Sequence, residues 1–539
     1  MNNRISFFKK FQIARKTLFL LLIISITLLT VFLADYWLSR YIEKEINARI
    51  ELLGAKAESI KITLFNRTLC VKSLDWASTS DSSNLRQHSI RIKTLTARGI
   101  GLYELFKNNT VIFNRVTIDS GKFQFDRSSK SIFPKAGNFE APVFKFKSIL
   151  LRSVVTQVTL DSLVSFSAVL NCELKEVSIE KSLTAAINYS AKSAEGAVTK
   201  ISMSRHEGMY GMTIAGISFN TDEKQLIIDS TLLIPNYEKY EFAHHAGRQV
   251  GRINLSIPKI SIQGIDFHKL ADTAWIASKV EIASFDLYSF KDKRVSDLPK
   301  KIKAMPMSVF LKLPYSIKVD TILIHKSHIV VEEFPETGIE SGIVTFDDLS
   351  GTLTNLNNRI EEGDQPYATL KASALLMNEG NIKASFQFPQ DGSTTYRAAG
   401  SVSRMSFAAL NPILKSLVDV RVESGYMNNL KFNFHYTDYA SKGMLGVDYE
   451  DLHIIVLDKN KKSTNEFKTL LVNTFVKTNI NQKDTPIRKA AAIDIPRDRS
   501  KFIFNVWAKS VLDGLKNSML KSFAKKNNQK KEDNRRSKK

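Results

Sequence analysis

The run Lys431-Phe432-Asn433-Phe434-His435-Tyr436 places three aromatic side chains at alternate positions with polar residues between them. Successive side chains of an extended chain point to opposite faces, so this pattern suits a half-buried β-strand and no helix. Val143-Phe144-Lys145-Phe146-Lys147, Phe123-Gln124-Phe125 and Phe386-Gln387-Phe388 repeat the same period. Turn residues separate many such runs, as at Asn108-Asn109, Glu379-Gly380-Asn381 and Gln390-Asp391-Gly392-Ser393. Helical spacing is confined to a continuation of the N-terminal apolar run through about Leu53, to Asn411–Val418, and to residues 504–526. The sequence therefore predicts a mainly β chain: an elongated, repeating antiparallel sheet over residues 40–503, closed by a short amphipathic helix.

A second feature fixes how the chain meets a membrane. Thr17 to Ala34 is eighteen residues without a charge. With its flanks it is long enough, at ~1.5 Å per residue, to cross a ~30 Å hydrocarbon core. Leu18, Leu21, Ile24, Leu28 and Phe32 are its apolar surface, and Trp37 stands where aromatic rings favour the interface. A transmembrane signal anchor over 17–39 is expected. A cleavable signal peptide is disfavoured because its apolar region is usually only ~7–15 residues and Phe32 stands where cleavage wants a small residue. Arg4, Lys9, Lys10, Arg15 and Lys16 would hold segment 1–16 in the cytoplasm and send the rest across.

Net charge is +23 over 539 residues, but 13 of those charges sit in residues 1–16 and 515–539. The body is only mildly basic, unlike a nucleic-acid-binding domain, so no nucleic-acid partner is expected. Hydrophobic residues make up 43% of the chain, enough for a large core.

An internal repeat relates residues 90–125 to residues 255–290. Gly99-Ile100 aligns with Gly264-Ile265 and Leu105 with Leu270; after one gap Val116, Ile118 and Ser120 align with Val280, Ile282 and Ser284. Each phrase reads as strand, glycine turn, short Leu-anchored segment and strand. Repetition of this kind favours a sheet that grows by neighbour contacts over a compact catalytic pocket.

An N-in anchor leading into repeated β phrases resembles the AsmA-like proteins of Gram-negative bacteria. Residues 407–457 resemble that family's C-terminal signature through Asn411-Pro412, Val422-Glu423-Ser424-Gly425 and Tyr449-Glu450-Asp451-Leu452. The resemblance implies a single-pass protein of the bacterial inner membrane with its bulk in the periplasm. It also implies a bridge-like β groove for lipid chains, and a role in phospholipid transfer or outer-membrane biogenesis. Its implied partners are a phospholipid or other envelope lipid, the inner and outer membranes, and an envelope assembly protein. The alternative is a periplasmic scaffold that contacts assembly machinery without carrying lipid.

Chemistry-bearing motifs are scarce. There is no Gly-x-Ser-x-Gly, phosphate-binding loop, His-Glu-x-x-His or Cys-x-x-Cys, so neither an enzyme nor a bound cofactor or metal is expected. His325 and His328 are three apart, which on a strand turns them to opposite faces. Cys70 and Cys172 could pair outside the cytoplasm or remain buried thiols. Phe144, Phe146, Phe432 and Phe434 are the candidate groove wall, although the same residues would serve equally in a closed core. Near the C-terminus Phe504, Trp507, Val511, Leu512, Leu515, Met519 and Phe523 form a stripe at helical spacing. It reads either as an interfacial helix, drawn to anionic lipid with the basic tail 527–539, or as a helix docked on the sheet's end.

Overall fold

The computed structural model describes residues 25, 29–30, 32–33, 35–48, 50–51, 54–79, 86–101, 110–126, 143–161, 164–181, 187–205, 208–271, 274–297, 302–457 and 490–519. Twenty-two strands carry most of these residues, paired as mixed sheet, and the chain divides into two compact units.

In the N-terminal unit, β1 (Ala55–Lys56) and β2 (Ser59–Thr63) pair antiparallel with β3 (Thr68–Thr79), β3 with β4 (Arg86–Arg98), and β4 with β5 (Thr110–Asp126). Next, β5 runs parallel to β6 (Val143–Asp161), and β6, β7 (Val164–Lys181) and β8 (Ile187–Arg205) continue antiparallel. A helical stretch, α1 (residues 35–48), precedes this sheet and is tied to it by Ile62 N donating to Glu43 Oε1 at 2.7 Å.

The C-terminal unit is built on residues 210–217 of β9 (Tyr210–Asn220), on β10 (Gln225–Pro235) and on β11 (Gly251–Gln263). One half of β11 pairs with β12 (Ala274–Ile282) and the other with β13 (Asp286–Asp292); both of these run parallel to β14 (Ser316–Phe334). An antiparallel series follows: β14, β15 (Gly342–Asn357), β16 (Tyr367–Leu376), β17 (Gly380–Pro389), β18 (Tyr396–Val402), β20 (Val420–Tyr436), β21 (Ala440–Val456) and β22 (Ala491–Pro496). The two-residue β19 (Met405–Ser406) also pairs with β20. Helices are brief inserts, α2 (Glu241–His245), α3 (Phe267–Ala271), α4 (Pro306–Phe310) and α5 (Asn411–Val418), until α6 (Ile503–Met519).

The expectation of a mainly β chain is met, but the sheet is mixed rather than antiparallel throughout. Parallel neighbours need a connection of a dozen or more residues, and sixteen residues, 127–142, separate β5 from β6 in the sequence. Among the described residues no helix is long and apolar enough to cross a membrane. Leu18, Leu21, Ile24 and Leu28 lie outside the described residues; Phe32 and Trp37 are helical and exposed, Trp37 at 72%.

The two repeat phrases share their backbone geometry. Gly99 and Gly264 take φ of 68° and 65°, where a Cβ would come within 2.2 Å of Asn114 Nδ2 and of Ser278 Oγ, respectively. Asn114 and Ser278 occupy equivalent positions in the following strand. Ile100 N donates to Arg67 O (3.3 Å) as Ile265 N does to Lys224 O (3.1 Å), and both acceptors sit at positive φ at the end of a hairpin turn. Gly101 N donates to Ile112 O at 2.8 Å, and Asp266 N to Ile276 O at 3.0 Å. After each phrase comes a parallel pairing, β5 with β6 and β12–β13 with β14.

Left-handed backbone and close approach together make the glycine necessary. Gly264→Ala should destabilise the chain by about 1–3 kcal/mol. The loss should be smaller in a Ser278→Ala background, because the nearest clashing atom is gone. Urea unfolding of the four proteins checks this; equal losses in both backgrounds would contradict the close-approach account.

Candidate functional site

What covers the apolar face of the sheet distinguishes the two units. In β20, Leu430, Phe432, Phe434 and Tyr436 are buried while Lys431, Asn433 and His435 are exposed. Residues directly opposite one another on neighbouring strands share a face. The buried face therefore continues through Tyr396, Ala398 and Val402 of β18, Phe386 of β17, and Leu445 and Val447 of β21. Helix α6 lies over it, contributing Ile503 and Val506 to the core, while Met305, Met307 and Phe407 close other parts. Phe432 (8% exposed) and Phe434 (1%) are thus core residues and not an open wall. Aromatic alternation reports a buried face; it does not report what does the burying.

Helix α6 docks on the sheet through small residues that the apolar stripe omitted. Gly514 approaches so closely that a Cβ there would stand 2.6 Å from Leu445 Cβ. Ser510 Oγ donates to Val506 O and shares a second hydrogen bond with Ser441 Oγ, both at 2.7 Å. Trp507 stacks on Phe386 (centroids 4.1 Å apart, planes at 23°), and Val511 and Leu515 pack beside it. Phe504, which the stripe included, is 69% exposed, and Phe523 lies outside the described residues. The docked alternative describes 503–519: the face with least bulk touches the sheet because it permits the closest approach. Asn411 ties α5 to β20, its side chain bonding both Val422 N (2.8 Å) and Val422 O (2.9 Å) like a strand neighbour.

The N-terminal unit presents a different surface. Leu69, Ala97, Val116, Ile149, Leu174 and Ala194 form one cross-strand row over β3–β8. Val71, Leu95, Ile118, Leu151, Cys172 and Gly196 form the next row on the same face. Between them, facing the other way, run Cys70, Thr96, Thr117, Leu150, Glu173 and Glu195. One face is thus aliphatic and the other mostly polar. Leu69, Leu95, Ile118, Ile149, Leu151 and Leu174 are only half-buried, and no described residue of this unit belongs to the main hydrophobic core. Phe144 and Phe146 stand in this unit too. Phe146 stacks on Phe113 at 5.1 Å in a row with Val177, and Phe144 aligns with Val111 and Ile179. The aliphatic rows were readable as apolar pairs two residues apart in successive strands, a weaker signal than alternating phenylalanines. Cys70 and Cys172 are both free, and they lie on opposite faces of the sheet.

Polar features of the C-terminal unit are of another kind. A shallow trench of about 660 Å³ crosses β14–β18, with Leu323, Ile324, Ala372, Ala384 and Ala399 in its lining beside Thr352, Ser373, Ser385, Lys371 and Lys383. Near β14, Glu332 is 5% exposed and accepts hydrogen bonds from Lys239 Nζ (2.7 Å), Tyr288 and Ser341. Burial alone would raise its pKa, but these donors outweigh burial and hold the carboxyl below the usual glutamate range. His325 pairs with Glu281 and His328 with Asp347 across a bulge in β14. No group of three or more metal-ligating side chains occurs among the described residues.

Two outcomes follow from this geometry. Trp507→Ala should cost about 3–5 kcal/mol by leaving a cavity over Phe386, whereas Phe504→Ala should be nearly neutral; thermal melts distinguish them. Because the Glu332 carboxyl titrates lower folded than unfolded, its contribution is complete above the unfolded value near ~4.3 and lost as pH falls through the folded one. Glu332→Gln should therefore lower the melting temperature at neutral pH and flatten its acid limb. A parallel downward shift at every pH would contradict this. No protein-family model matches this chain, and no curated protein matches it in sequence.

Proposed function

We propose that this chain is a membrane-anchored envelope protein that holds or passes lipid along the aliphatic face of its N-terminal unit. The observation that carries the reading is the pair of aliphatic rows across β3–β8, outside the main core, in which Leu69, Leu95, Ile118, Ile149, Leu151 and Leu174 stay half-buried while Val71, Ala97, Val116 and Cys172 are buried. Acyl chains would suit such a surface, since each buried CH₂ contributes about 0.8 kcal/mol without demanding directional contacts. The polar row on the reverse face would let the same sheet meet water. Support for the anchor comes from Leu29, Phe32, Leu33, Tyr36, Trp37 and Tyr41, which are exposed on the helical N-terminal stretch. They recur at three- and four-residue steps, which gathers them on one side of the helix as a face for lipid. The AsmA-like resemblance points the same way and supplies the setting, the periplasmic side of a bacterial inner membrane and phospholipid as cargo.

Photo-crosslinking tests this in cells. A photoreactive residue at Ile118 or Leu151 should capture lipid, while one at Thr117, one position away on the polar face, should not. Equal capture at Thr117, or none at all three positions, would remove the lipid reading and leave the scaffold alternative.

A further inference from the structure

One place in the C-terminal unit gathers more cations than acids among the described residues. Lys291, near the end of β13, pairs with Gly251 of β11, and its charged neighbours are Lys501, Asp297, Lys303 and Glu333. Lys501, just before α6, makes an ion pair with Asp297 (Nζ–Oδ2 2.6 Å), and its side chain also meets that of Lys291. Lys303 places its ammonium 4.0 Å from the centre of the Phe502 ring and has Asp297, Lys501 and Arg248 as charged neighbours.

Backbone bonds fix this arrangement. Lys303 N donates to Arg499 O, and Lys303 O accepts from Arg497 Nη2, both at 2.8 Å. Gln249 N donates to Ser296 O at 2.9 Å beside Asp297. Two other carboxylates border the cluster: Glu333, which pairs with Lys293 and faces Lys291, and Asp498, which accepts from Ser500 and faces Lys501. Asp297 is the carboxylate that all three lysines share, and none of the three is fully exposed. Partly buried ammonium groups repel and lose hydration unless something of opposite charge joins them. Burial first, then Lys501 and Lys303, pull the Lys291 pKa down to about 8.

We propose that Lys291, Lys303 and Lys501, gathered around Asp297, bind a phosphate group. With Lys293 and Arg248 the neighbourhood holds five cations against the three carboxylates Asp297, Glu333 and Asp498, a surplus of two positive charges that a phosphate dianion matches where a carboxylate would not. Lysines serve phosphate as point charges with freely turning donors, and Asp297 holds Lys501 in place while Phe502 holds Lys303. The phosphate could arrive as a free ion or on a lipid headgroup. This site stands independently of the aliphatic rows, so either can fail alone.

Lysine acylation of the full-length protein, read residue by residue by mass spectrometry, tests it without any substitution. At constant ionic strength, inorganic phosphate should slow labelling of Lys291 and Lys501 by about fivefold or more, with exposed Lys371 and Lys383 unchanged. Vesicles of phosphatidic acid, compared with phosphatidylcholine, form the second arm. Protection by the free ion assigns a soluble phosphate, and protection by phosphatidic acid alone assigns a headgroup. In whichever arm protects, Lys291→Met should weaken binding by about tenfold. No protection in either arm, equal protection of Lys371, or unchanged affinity in Lys291→Met would overturn the proposal.

Discussion

A β-sheet with one apolar face has to cover that face, and this requirement organises the molecule. Where β17, β18, β20 and β21 present Phe386, Phe432, Phe434, Tyr436 and Leu445, the chain supplies its own cover in α6. The fit depends on Ser510 and Gly514 as much as on Trp507, because small residues let the helix axis approach the sheet. Where β3–β8 present two aliphatic rows, no described residue joins that core. The same strand physics thus yields a closed core in one unit and a candidate lipid-facing surface in the other.

The duplicated phrase explains how a chain can lengthen such a sheet. Both copies place a left-handed glycine against a strand residue, and both bond the next residue to a left-handed carbonyl at a hairpin end. Each then adds a parallel neighbour. These are backbone requirements, tolerant of side-chain change, which suits a unit whose faces serve different ends in its two copies.

Period-two alternation made the strands legible, and the Gly99/Gly264 alignment made the repeat legible. Parallel pairings were not readable, because strand direction depends on how the connections return the chain rather than on strand composition. For Phe432 and Phe434 the choice between groove wall and closed core was not readable, because alternation specifies a buried face and is silent about the cover. The buried stripe of α6 was misplaced toward Phe504 because hydropathy ranks phenylalanine above Ser510 and Gly514, whereas close packing ranks them the other way. The lysine cluster left no mark at all: Lys291, Asp297, Lys303 and Lys501 meet only through the fold.

The most direct measurement is the lipid retained per chain after extensive detergent exchange, compared between the two faces of one strand set. Ile118→Asp with Leu151→Asp should strip bound phospholipid while the far-UV spectrum keeps its β signature. Thr117→Asp, on the polar face, should retain the wild-type amount. Equal lipid in all three proteins would contradict the central claim that the aliphatic face of the N-terminal unit is where lipid lies.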